Sequence, residues 1–232
     1  MSPIGTIKQV EIIKDKIRDF KEYPANTPVV KNLHGPLELS NITIITGDNA
    51  TGKSTLVRAI ADFCGLDSEG GSTNLKLSTK HSPFKLSKYL RIPRVLPLIF
   101  EGFYFRADTF YNVVTAIDKA KSTHNYGGRS LHKQSHGQSV KSLFMNHFRG
   151  NQLLLLDEPE TGLDPDNLQL IKKRIEELAD TGSQVIMITH SFALAQIRNA
   201  IIYEFGHDYI KRVDYSQSNI YKKNKSALEG ST

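Results

Sequence analysis

The sequence has no tryptophan, one cysteine and no apolar run long enough to cross a bilayer. The longest apolar stretch, residues 95–105, is broken by Glu101 and falls short of the ~20 residues that a membrane helix needs, so we expect no direct membrane insertion. Cys64 has no partner for an intrachain disulfide, which fits a reducing compartment. Residues 1–8 lack the basic stretch and apolar core of a secretion signal, so we expect a cytoplasmic protein.

The charge balance is moderately basic, with 30 Lys and Arg against 24 Asp and Glu and a formal net charge of +6. A nucleotide pocket itself recruits cations, and a mild excess is also common on solvated surfaces. The balance therefore leaves nucleic acid open as a partner without requiring it. The one local basic cluster, residues 222–225, lies near the carboxyl terminus, where a flexible tail explains it equally well.

A complete phosphate-loop motif, G-x-x-x-x-G-K-S, occupies residues 47–54. Its flanking patterns predict a strand, a loop and a helix, so that backbone N–H groups and the helix N-terminus face one anion. Lys53 would reach the β- and γ-phosphates, and the Ser54 hydroxyl would bind Mg²⁺. The residues predicted to contact nucleotide here are Gly47, Asp48, Asn49, Ala50, Thr51, Gly52, Lys53, Ser54 and Thr55.

Four leucines at 153–156 predict a buried strand that ends on Asp157 and Glu158. Adjacent side chains of a strand point to opposite faces, which permits two different roles. Asp157 would order Mg²⁺ opposite Ser54, while Glu158 would orient and polarise the attacking water. The alternative is that the two acidic residues only end the strand and have no catalytic role, and the phosphate loop upstream argues against this alternative.

Strand patterns that are apolar throughout alternate with helical patterns along the chain. This alternation predicts an α/β fold with a mostly parallel sheet flanked by helices and functional residues at the carboxyl ends of the strands. Short strands are also predicted at 29–30 and 37–39, ahead of the phosphate loop. Asp166 or Asn167 is predicted to cap the helix that follows the acidic pair.

Four motifs, in this order along the chain, resemble those of the ABC-type ATPases. They are the phosphate loop, S-H-G-Q at 135–138, D-E-P-E-T-G-L-D-P at 157–165 and T-H-S at 189–191. Many families share the phosphate loop, but the acidic run followed by T-H-S is highly specific. The likeness spans residues 23–205 and is closest to the compact stand-alone bacterial ATPases of this type.

The resemblance implies a P-loop NTPase fold with an antiparallel β subdomain and a shortened helical segment that carries the signature. It implies that Asp157 is the Walker B aspartate and Glu158 the catalytic glutamate. Asp164 would be the D-loop aspartate, and His190 the switch histidine that contacts the γ-phosphate. Lys53, Glu158 and His190 are then the predicted catalytic set, with ATP and Mg²⁺ as cofactors.

The S-H-G-Q segment resembles the ABC signature L-S-G-G-Q, with Gln134 for the leucine and His136 for the first glycine. Ser135, Gly137 and Gln138 match the family pattern. In the family this motif caps the γ-phosphate of a nucleotide held by a second subunit, through a hydroxyl, backbone N–H groups and a helix start. The implied assembly is an ATP-dependent head-to-tail homodimer that sandwiches the nucleotide.

Two features depart from the family pattern. The expected Q-loop glutamine is missing, and Arg106-Ala107-Asp108 stands in its place, so Asp108 is a candidate substitute in water or metal coordination. The segment between Asp108 and Ser135 is also far shorter than the helical subdomain that docks on transporter membrane subunits. The sequence has nothing like the long coiled coil of SMC-type ATPases.

An aromatic ring upstream of the phosphate loop normally holds adenine in this family. Tyr23, just before Pro24, is placed to do so by stacking, and Phe20 is the rival candidate. A tyrosine with only a core or surface role is the remaining interpretation.

The length of 232 residues favours one domain over the whole chain, 1–232. Its predicted parts are an N-terminal β region at 1–46, the phosphate loop and helix at 47–63, a variable surface insertion at 64–94, a signature-bearing helical segment at 106–150, a block from Walker B to the closing strands at 151–214, and a flexible tail at 215–232.

The leading hypothesis is an ATPase whose dimer closes on Mg-ATP and reopens on hydrolysis, passing motion to an unidentified partner protein or nucleic acid. One alternative is an ATP-gated switch module, associated with DNA or a defence system, that hydrolyses slowly. A transporter ATP-binding subunit is disfavoured by the short segment before Ser135. A GTPase is set aside because Asn224-Lys225-Ser226-Ala227 has alanine where a guanine-reading carboxylate belongs.

Overall fold

The computed structural model describes residues 7–72, 85–93, 101–119, 123–126, 128 and 130–230. The predicted insertion at 64–94 and the apolar stretch at 95–105 are therefore covered only in part, since 73–84 and 94–100 lie outside the described residues. Within these described ranges, no helix combines the length and the apolar character needed to cross a bilayer.

Within the described residues, ten strands form two sheets. They are β1 (Gln9–Ile12), β2 (Leu37–Glu38), β3 (Ile42–Gly47), β4 (Gly71–Ser72), β5 (Leu90–Arg91), β6 (Glu101–Arg106), β7 (Gln152–Asp157), β8 (Gln184–Ile188), β9 (Ile201–Phe205) and β10 (Ile210–Val213). The larger sheet has the order β10-β9-β3-β8-β7-β6-β4. Its five inner strands are parallel, while the edge strands β4 and β10 pair antiparallel. The predicted mostly parallel sheet is confirmed.

The phosphate-loop strand β3 lies in the middle of this sheet, between β8 and β9. Parallel register places Gly47 opposite Phe205 and, one strand away, Asp157 opposite Ile188. Because parallel strands share one carboxyl edge, the phosphate loop, the acidic pair and the residues after β8 meet there.

The smaller sheet has the order β2-β1-β5, and all of its pairs are antiparallel. It pairs Val10 with Leu37 and Ile12 with Leu90, which brings residues far apart in the chain together. This is the antiparallel β subdomain that the resemblance implies.

In the part of the chain that the structure describes, seven helices pack on these sheets. They are α1 (Pro28–Asn32), α2 (Lys53–Phe63), α3 (Phe110–Lys119), α4 (His136–Ser142), α5 (Pro165–Asp180), α6 (Phe192–Ala195) and α7 (Asn219–Glu229). A π-helical turn, Leu143–His147, continues α4. The helical segment between β6 and β7 thus consists of α3, two short 3-10 turns, α4 and this turn, which agrees with the predicted shortening.

Alternate residues of the central strands pack into two cores, one on each side of the larger sheet. Ile45 and Leu155 pack with α2 and the smaller sheet, whereas Ile44 and Leu154 pack with α3, α4 and α5. Strands that are buried on both faces read as continuous apolar runs, which is why the sequence pattern identified them.

The strand predicted at 29–30 is wrong, because these residues belong to helix α1. Pro28 is the first residue of that helix, where its fixed φ suits helical geometry and its missing N–H costs nothing. Val29 and Val30 are both fully buried. A run of two β-branched residues was too short to distinguish the two structures.

Helix α7 occupies most of residues 215–232, the segment for which a flexible tail is predicted. Ser218 caps this helix by accepting a hydrogen bond from the Tyr221 N–H at 3.3 Å. The Asn219 N–H donates to the buried carboxylate of Glu204, on β9, at 2.6 Å. The helix start is therefore held by a contact that the local sequence does not reveal. The assignment of the whole chain to one domain stays a prediction.

Candidate active site

The phosphate loop follows β3 and turns at glycines with positive φ. A Cβ at Gly47, where φ is +123°, would lie 2.1 Å from the Phe205 carbonyl oxygen. A Cβ at Gly52, where φ is +92°, would lie 2.5 Å from Val29 Cγ1. Both positions require glycine for the close approach as well as for the backbone angle.

Backbone contacts hold the loop on two sides. The Asp48 N–H donates to the Phe205 carbonyl at 3.0 Å, and the Val29 N–H donates to the Thr51 carbonyl at 2.9 Å. Thr51 Oγ1 also donates to the Asp48 carbonyl at 2.9 Å. The loop is thus fixed by β9 and α1 as well as by its own turn.

Lys53 is the first residue of α2 and is only 6% exposed. Its Nζ donates to the carbonyls of Gly47 at 3.0 Å and Asp48 at 2.6 Å. Burial lowers the pKa of Lys53, and the negative charges of Glu158 and Asp157 oppose that shift. The ammonium group is therefore held inside the curl of the loop.

Ser54 and Asp157 bring the helix start and the end of β7 together. Ser54 Oγ donates to Asp157 Oδ1 at 3.2 Å. Burial raises the pKa of Asp157 to about 6, although the Ser54 hydrogen bond and the Arg106 charge act in the opposite direction. A hydroxyl and a carboxylate are oxygen ligands of the kind that Mg²⁺ uses beside phosphates.

This pair fits a magnesium ion bound partly by substrate phosphates and water. Among the residues that the structure describes, no cluster of three or more His, Cys, Asp or Glu side chains could hold a metal by itself. One or two protein ligands completed by phosphate oxygens is the usual arrangement for Mg²⁺ in nucleotide sites.

Glu158 and His190 lie side by side at the carboxyl edge of the sheet. His190 Nε2 is 3.7 Å from Glu158 Oε1, and the two side chains are 42% and 47% exposed. Glu158 has a positive φ of 53°, and its N–H donates to the Ile188 carbonyl at 3.0 Å. The sharp change of direction after β7 leaves the Glu158 carboxylate accessible rather than buried in the sheet.

Glu160 is a site residue to which sequence reasoning gave no role. Its Oε1 accepts a hydrogen bond from the His190 N–H at 2.7 Å, while Oε2 is buried without a hydrogen-bond partner. Burial raises the pKa of this carboxyl. The signal in the sequence was the second glutamate of D-E-P-E, and nothing local indicated that it would reach the end of β8.

Arg106 is the second residue without an assigned role, and it lies opposite Asp157 in the β6–β7 register. Its guanidinium is 12% exposed and pairs with Asp108 at 2.6 Å and with Glu69 at 3.6 Å. Asp108 therefore contacts a cation, with a side chain that is 63% exposed. The role of Asp108 in metal or water coordination stays a prediction.

The S-H-G-Q segment forms the start of α4. The Ser135 hydroxyl accepts from the Gln138 N–H at 3.3 Å, and the Gln138 side chain accepts from the Ser135 N–H at 3.1 Å. This reciprocal capping box fixes the helix N-terminus, with Gly137 in its first turn. The capping hydrogen bonds lie at the exposed surface of the protein.

Asp164 caps α5, so the predicted caps Asp166 and Asn167 are wrong. Its carboxylate accepts from the Asn167 N–H at 2.8 Å, and the hydrogen bonds that it accepts lower the pKa of Asp164. Pro165 at the first helical position places the cap earlier than the apolar periodicity suggests.

Tyr23 is 52% exposed and stands beside the phosphate-loop helix. Its hydroxyl lies 3.3 Å from Thr55 Oγ1. Tyr23 and Thr55 line one cleft, which continues along α2 past Arg58 and Asp62. Phe20 is also exposed, at 41%. Both candidate rings are accessible, and Tyr23 is the one that contacts Thr55.

The chain is similar in sequence to known ATP-binding proteins. Residues 91–195 match a family model described as "AAA domain, putative AbiEii toxin, Type IV TA system". The chain is 29% identical over 167 residues to the zinc import ATP-binding protein ZnuC of Paracoccus denitrificans, an alignment that covers 70% of this chain and 64% of that protein. It is 25% identical to the macrolide export ATP-binding/permease protein MacB of Mannheimia succiniciproducens, over 82% of this chain and 32% of that protein.

A solved nucleotide-free ATP-binding cassette from an ABC transporter has the same fold. It aligns with 95% of this chain and 97% of its own length, at a TM-score of 0.52 and 18% identity. These likenesses support an ABC-type P-loop ATPase. The phosphate loop, the acidic run and T-H-S, three of the four motifs that carry the sequence resemblance, meet at one edge of the sheet.

The aligned part of the chain spans 64% of the length of ZnuC and 32% of that of MacB.

The structure brings together Lys53, Ser54, Asp157, Glu158 and His190. It leaves the signature helix α4 in a different place, against the turn after Glu158 rather than against the phosphate loop of its own chain.

Proposed function

We propose that this chain binds Mg-ATP and hydrolyses it in a head-to-tail homodimer, and that closing and opening of the dimer drives a conformational change in a partner. The observation that carries this proposal is the meeting of Lys53 and Ser54 with Asp157, Glu158 and His190 at one edge of the sheet. A phosphate-binding loop, a pair of metal ligands and an accessible carboxylate are what phosphoryl transfer to water needs.

The phosphate loop and Lys53 bind the triphosphate. Backbone N–H groups of residues 47–55 and the N-terminus of α2 supply donors and a positive dipole end. The Lys53 ammonium donates to two loop carbonyls, and phosphate oxygens are stronger, charged acceptors for the same group. Tyr23 stacks on the adenine, and Thr55 lies beside it.

Ser54 and Asp157 hold Mg²⁺, with Asp108 as a further candidate ligand through water. When bound, Mg²⁺ neutralises charge that develops on the β- and γ-phosphates. Ionised Asp157 is needed for this role, so its raised pKa predicts weaker Mg²⁺ binding below about pH 6.

Glu158 orients the attacking water and accepts its proton as the oxygen–phosphorus bond to ADP breaks. His190 lies close enough to contact the γ-phosphate beside that carboxylate. Inorganic phosphate and ADP leave, and the proton passes from Glu158 to solvent. These roles are proposals that the arrangement of the two side chains supports.

Ser135, Gly137 and Gln138 complete the nucleotide site of a second copy. The exposed, capped N-terminus of α4 presents a hydroxyl and backbone donors, and Asp164 lies at the start of α5, shortly after the acidic turn. A γ-phosphate bound at the N-terminus of the partner's α4 would be stabilised by the positive end of that helix dipole. The dimer is therefore the proposed active species.

The Glu158→Gln variant tests this function. It should bind ATP, hydrolyse it at least ~100-fold more slowly and accumulate as a dimer in light scattering, because the acceptor for the water proton is lost. Glu229→Gln, on exposed α7, is the matched control and should hydrolyse ATP normally. A Glu158→Gln protein that stays monomeric at saturating ATP would contradict the sandwich dimer.

An ATP-gated switch module, associated with DNA or a defence system, is the second candidate. The description of the matching family names a toxin, and the net charge of +6 suits a nucleic-acid partner. Binding to duplex DNA that requires ATP and weakens steeply with salt would favour it.

A transporter ATP-binding subunit is the third candidate, supported by the names of the relatives alone. Co-purification of an integral membrane protein with the chain would favour it over the switch module.

A further inference from the structure

His136 occupies the signature position where the family has glycine, and its side chain contacts the turn after Glu158. His136 Nε2 lies 3.0 Å from the Thr161 carbonyl oxygen. Because a carbonyl can only accept, Nε2 carries the proton and donates. The signature helix is thus hydrogen-bonded to the D-loop of its own chain.

The packing around this hydrogen bond is close. A Cβ at Gly162, where φ is +73°, would lie 2.8 Å from His136 Cδ2. A Cβ at Gly137 would lie 3.3 Å from the Gly162 carbonyl oxygen. The edge of the imidazole ring also meets the Phe110 ring, with centroids 5.8 Å apart. Two glycines and one aromatic ring therefore pack against one side of His136, whose side chain is otherwise exposed.

The turn that His136 contacts carries the acidic residue of the active site. The Thr161 N–H donates to the Glu158 carbonyl at 3.1 Å, so Thr161 and Glu158 belong to one hydrogen-bonded turn. His136 donates to the carbonyl of Thr161, and the N–H of the same residue, Thr161, donates to Glu158. A shift of α4 is therefore transmitted to the backbone of Glu158 through one side chain and one turn.

We propose that His136 is a positioning residue that couples the two nucleotide sites of the dimer within each subunit. The inference rests on the proposed function, in which α4 contacts the nucleotide of the partner while Glu158 acts on the nucleotide of its own subunit. Nucleotide bound at one site moves or fixes α4, and His136 passes that change to the Glu158 turn at the other site. Coupling of this kind makes hydrolysis cooperative in ATP.

Two variants of similar size separate the hydrogen bond from packing. His136→Gln keeps an N–H donor near the position of Nε2, and His136→Leu keeps apolar bulk against Phe110 but has no donor. His132→Leu is the matched control, because His132 is an exposed histidine of the same segment that contacts Thr115 and Tyr111 instead.

The experiment measures initial rates of hydrolysis against ATP concentration for the wild type and the three variants. His136→Leu should lower the Hill coefficient towards the value that ATP-dependent dimerisation alone gives and lower kcat by about 10-fold, because the coupling free energy transmitted through His136 is lost. Its monomer should bind ATP within about 3-fold of wild type, since His136 does not contact its own phosphate loop. His136→Gln should recover most of the cooperativity, and His132→Leu should match wild type.

Wild-type cooperativity in His136→Leu would overturn this inference while leaving the proposed function intact. An equal loss of cooperativity in His136→Leu and His136→Gln would also overturn the inference, because the packing of the imidazole ring rather than its hydrogen bond would then explain the loss. Thermal melting checks that each variant folds, and if the leucine variant does not fold, His136→Asn takes its place as a shorter side chain that cannot reach Thr161. Failure of Glu158→Gln to dimerise with ATP would instead overturn the proposed function, and this inference with it.

Discussion

The carboxylate of Glu160 accepts a hydrogen bond from the backbone N–H of His190 at 2.7 Å. This contact ties the turn after β7 to the end of β8, the two segments that carry Glu158 and His190. Because the second oxygen of Glu160 is buried, the side chain has little freedom to move. The distance between Glu158 and His190 is therefore set by a third residue that touches neither nucleotide nor water in the proposed mechanism.

Loss of this contact should impair turnover more than binding. Glu160→Ala should lower kcat by about 10- to 100-fold, because His190 loses its fixed backbone position and small misplacements are costly in catalysis. Glu160→Gln keeps an acceptor oxygen and should stay within about 3-fold of wild type. Steady-state kinetics gives kcat and calorimetry gives the affinity for ATP, so the two measurements together separate an effect on turnover from an effect on binding. A wild-type kcat in Glu160→Ala would show that His190 needs no such support.

The buried Asp157 should make the stability of the protein depend on pH. An aspartate in the unfolded chain has a pKa of about 3.9, whereas burial raises the pKa of Asp157 to about 6 in the folded state. Between these pH values the folded protein binds more protons, so its free energy of unfolding falls as pH rises from about 4 to about 6. The contribution of this one group is at most ~3 kcal/mol.

Urea unfolding of wild type and Asp157→Asn across this pH range isolates that contribution. The asparagine cannot ionise, so the stability of wild type relative to the variant should decline with rising pH and level off above about pH 6. A difference that is flat from about pH 4.5 to about pH 7 would mean that Asp157 titrates at its ordinary pKa.

Removal of the Tyr23 ring should weaken nucleotide binding. Tyr23→Ala should raise the Kd for ATP by about 10-fold, since stacking of a base on an aromatic ring contributes ~1–3 kcal/mol. Tyr23→Phe should retain most of the affinity, because only the hydroxyl near Thr55 is lost. Phe20→Ala is the matched comparison, and a larger effect there than at Tyr23 would assign the adenine contact to Phe20 instead.

A methyl group at Gly47 should disrupt the phosphate loop. The added Cβ would lie 2.1 Å from the Phe205 carbonyl oxygen, and the positive φ disfavours any other residue. Gly47→Ala should lower the free energy of unfolding by more than ~2 kcal/mol and abolish ATP binding. Gly65→Ala shares a positive φ but has open space around it, and should cost only about 1 kcal/mol. Similar unfolding curves for the two variants would contradict the steric argument.

The parts of the site that the sequence predicted are those carried by short contiguous motifs. The phosphate loop and the acidic pair each follow an apolar strand, so the pattern of burial predicted that Lys53 and Asp157 lie at the same edge of the sheet. The helices α2 and α5 were predicted as well, one after the phosphate loop and the other after the acidic pair.

The parts that were missed depend on contacts between distant segments. Glu160 reaches His190 across 30 residues, and the partner of Arg106, Glu69, lies in a stretch whose composition is that of an ordinary polar loop. The start of α7 is fixed by Glu204, 15 residues earlier on a strand. Local propensity contains no information about such partners, which only the folded chain brings together.

The strand that carries the phosphate loop is flanked by two strands that are made much later. β3 pairs on one side with β8 and on the other with β9, and Phe205 supplies the carbonyl that Asp48 needs. During synthesis the phosphate-loop strand β3 leaves the ribosome long before β8 and β9 have been made, so β3 has no strand to pair with until then. We therefore expect nucleotide binding to begin only after synthesis has passed residue 205, and a product truncated before that residue to bind no ATP.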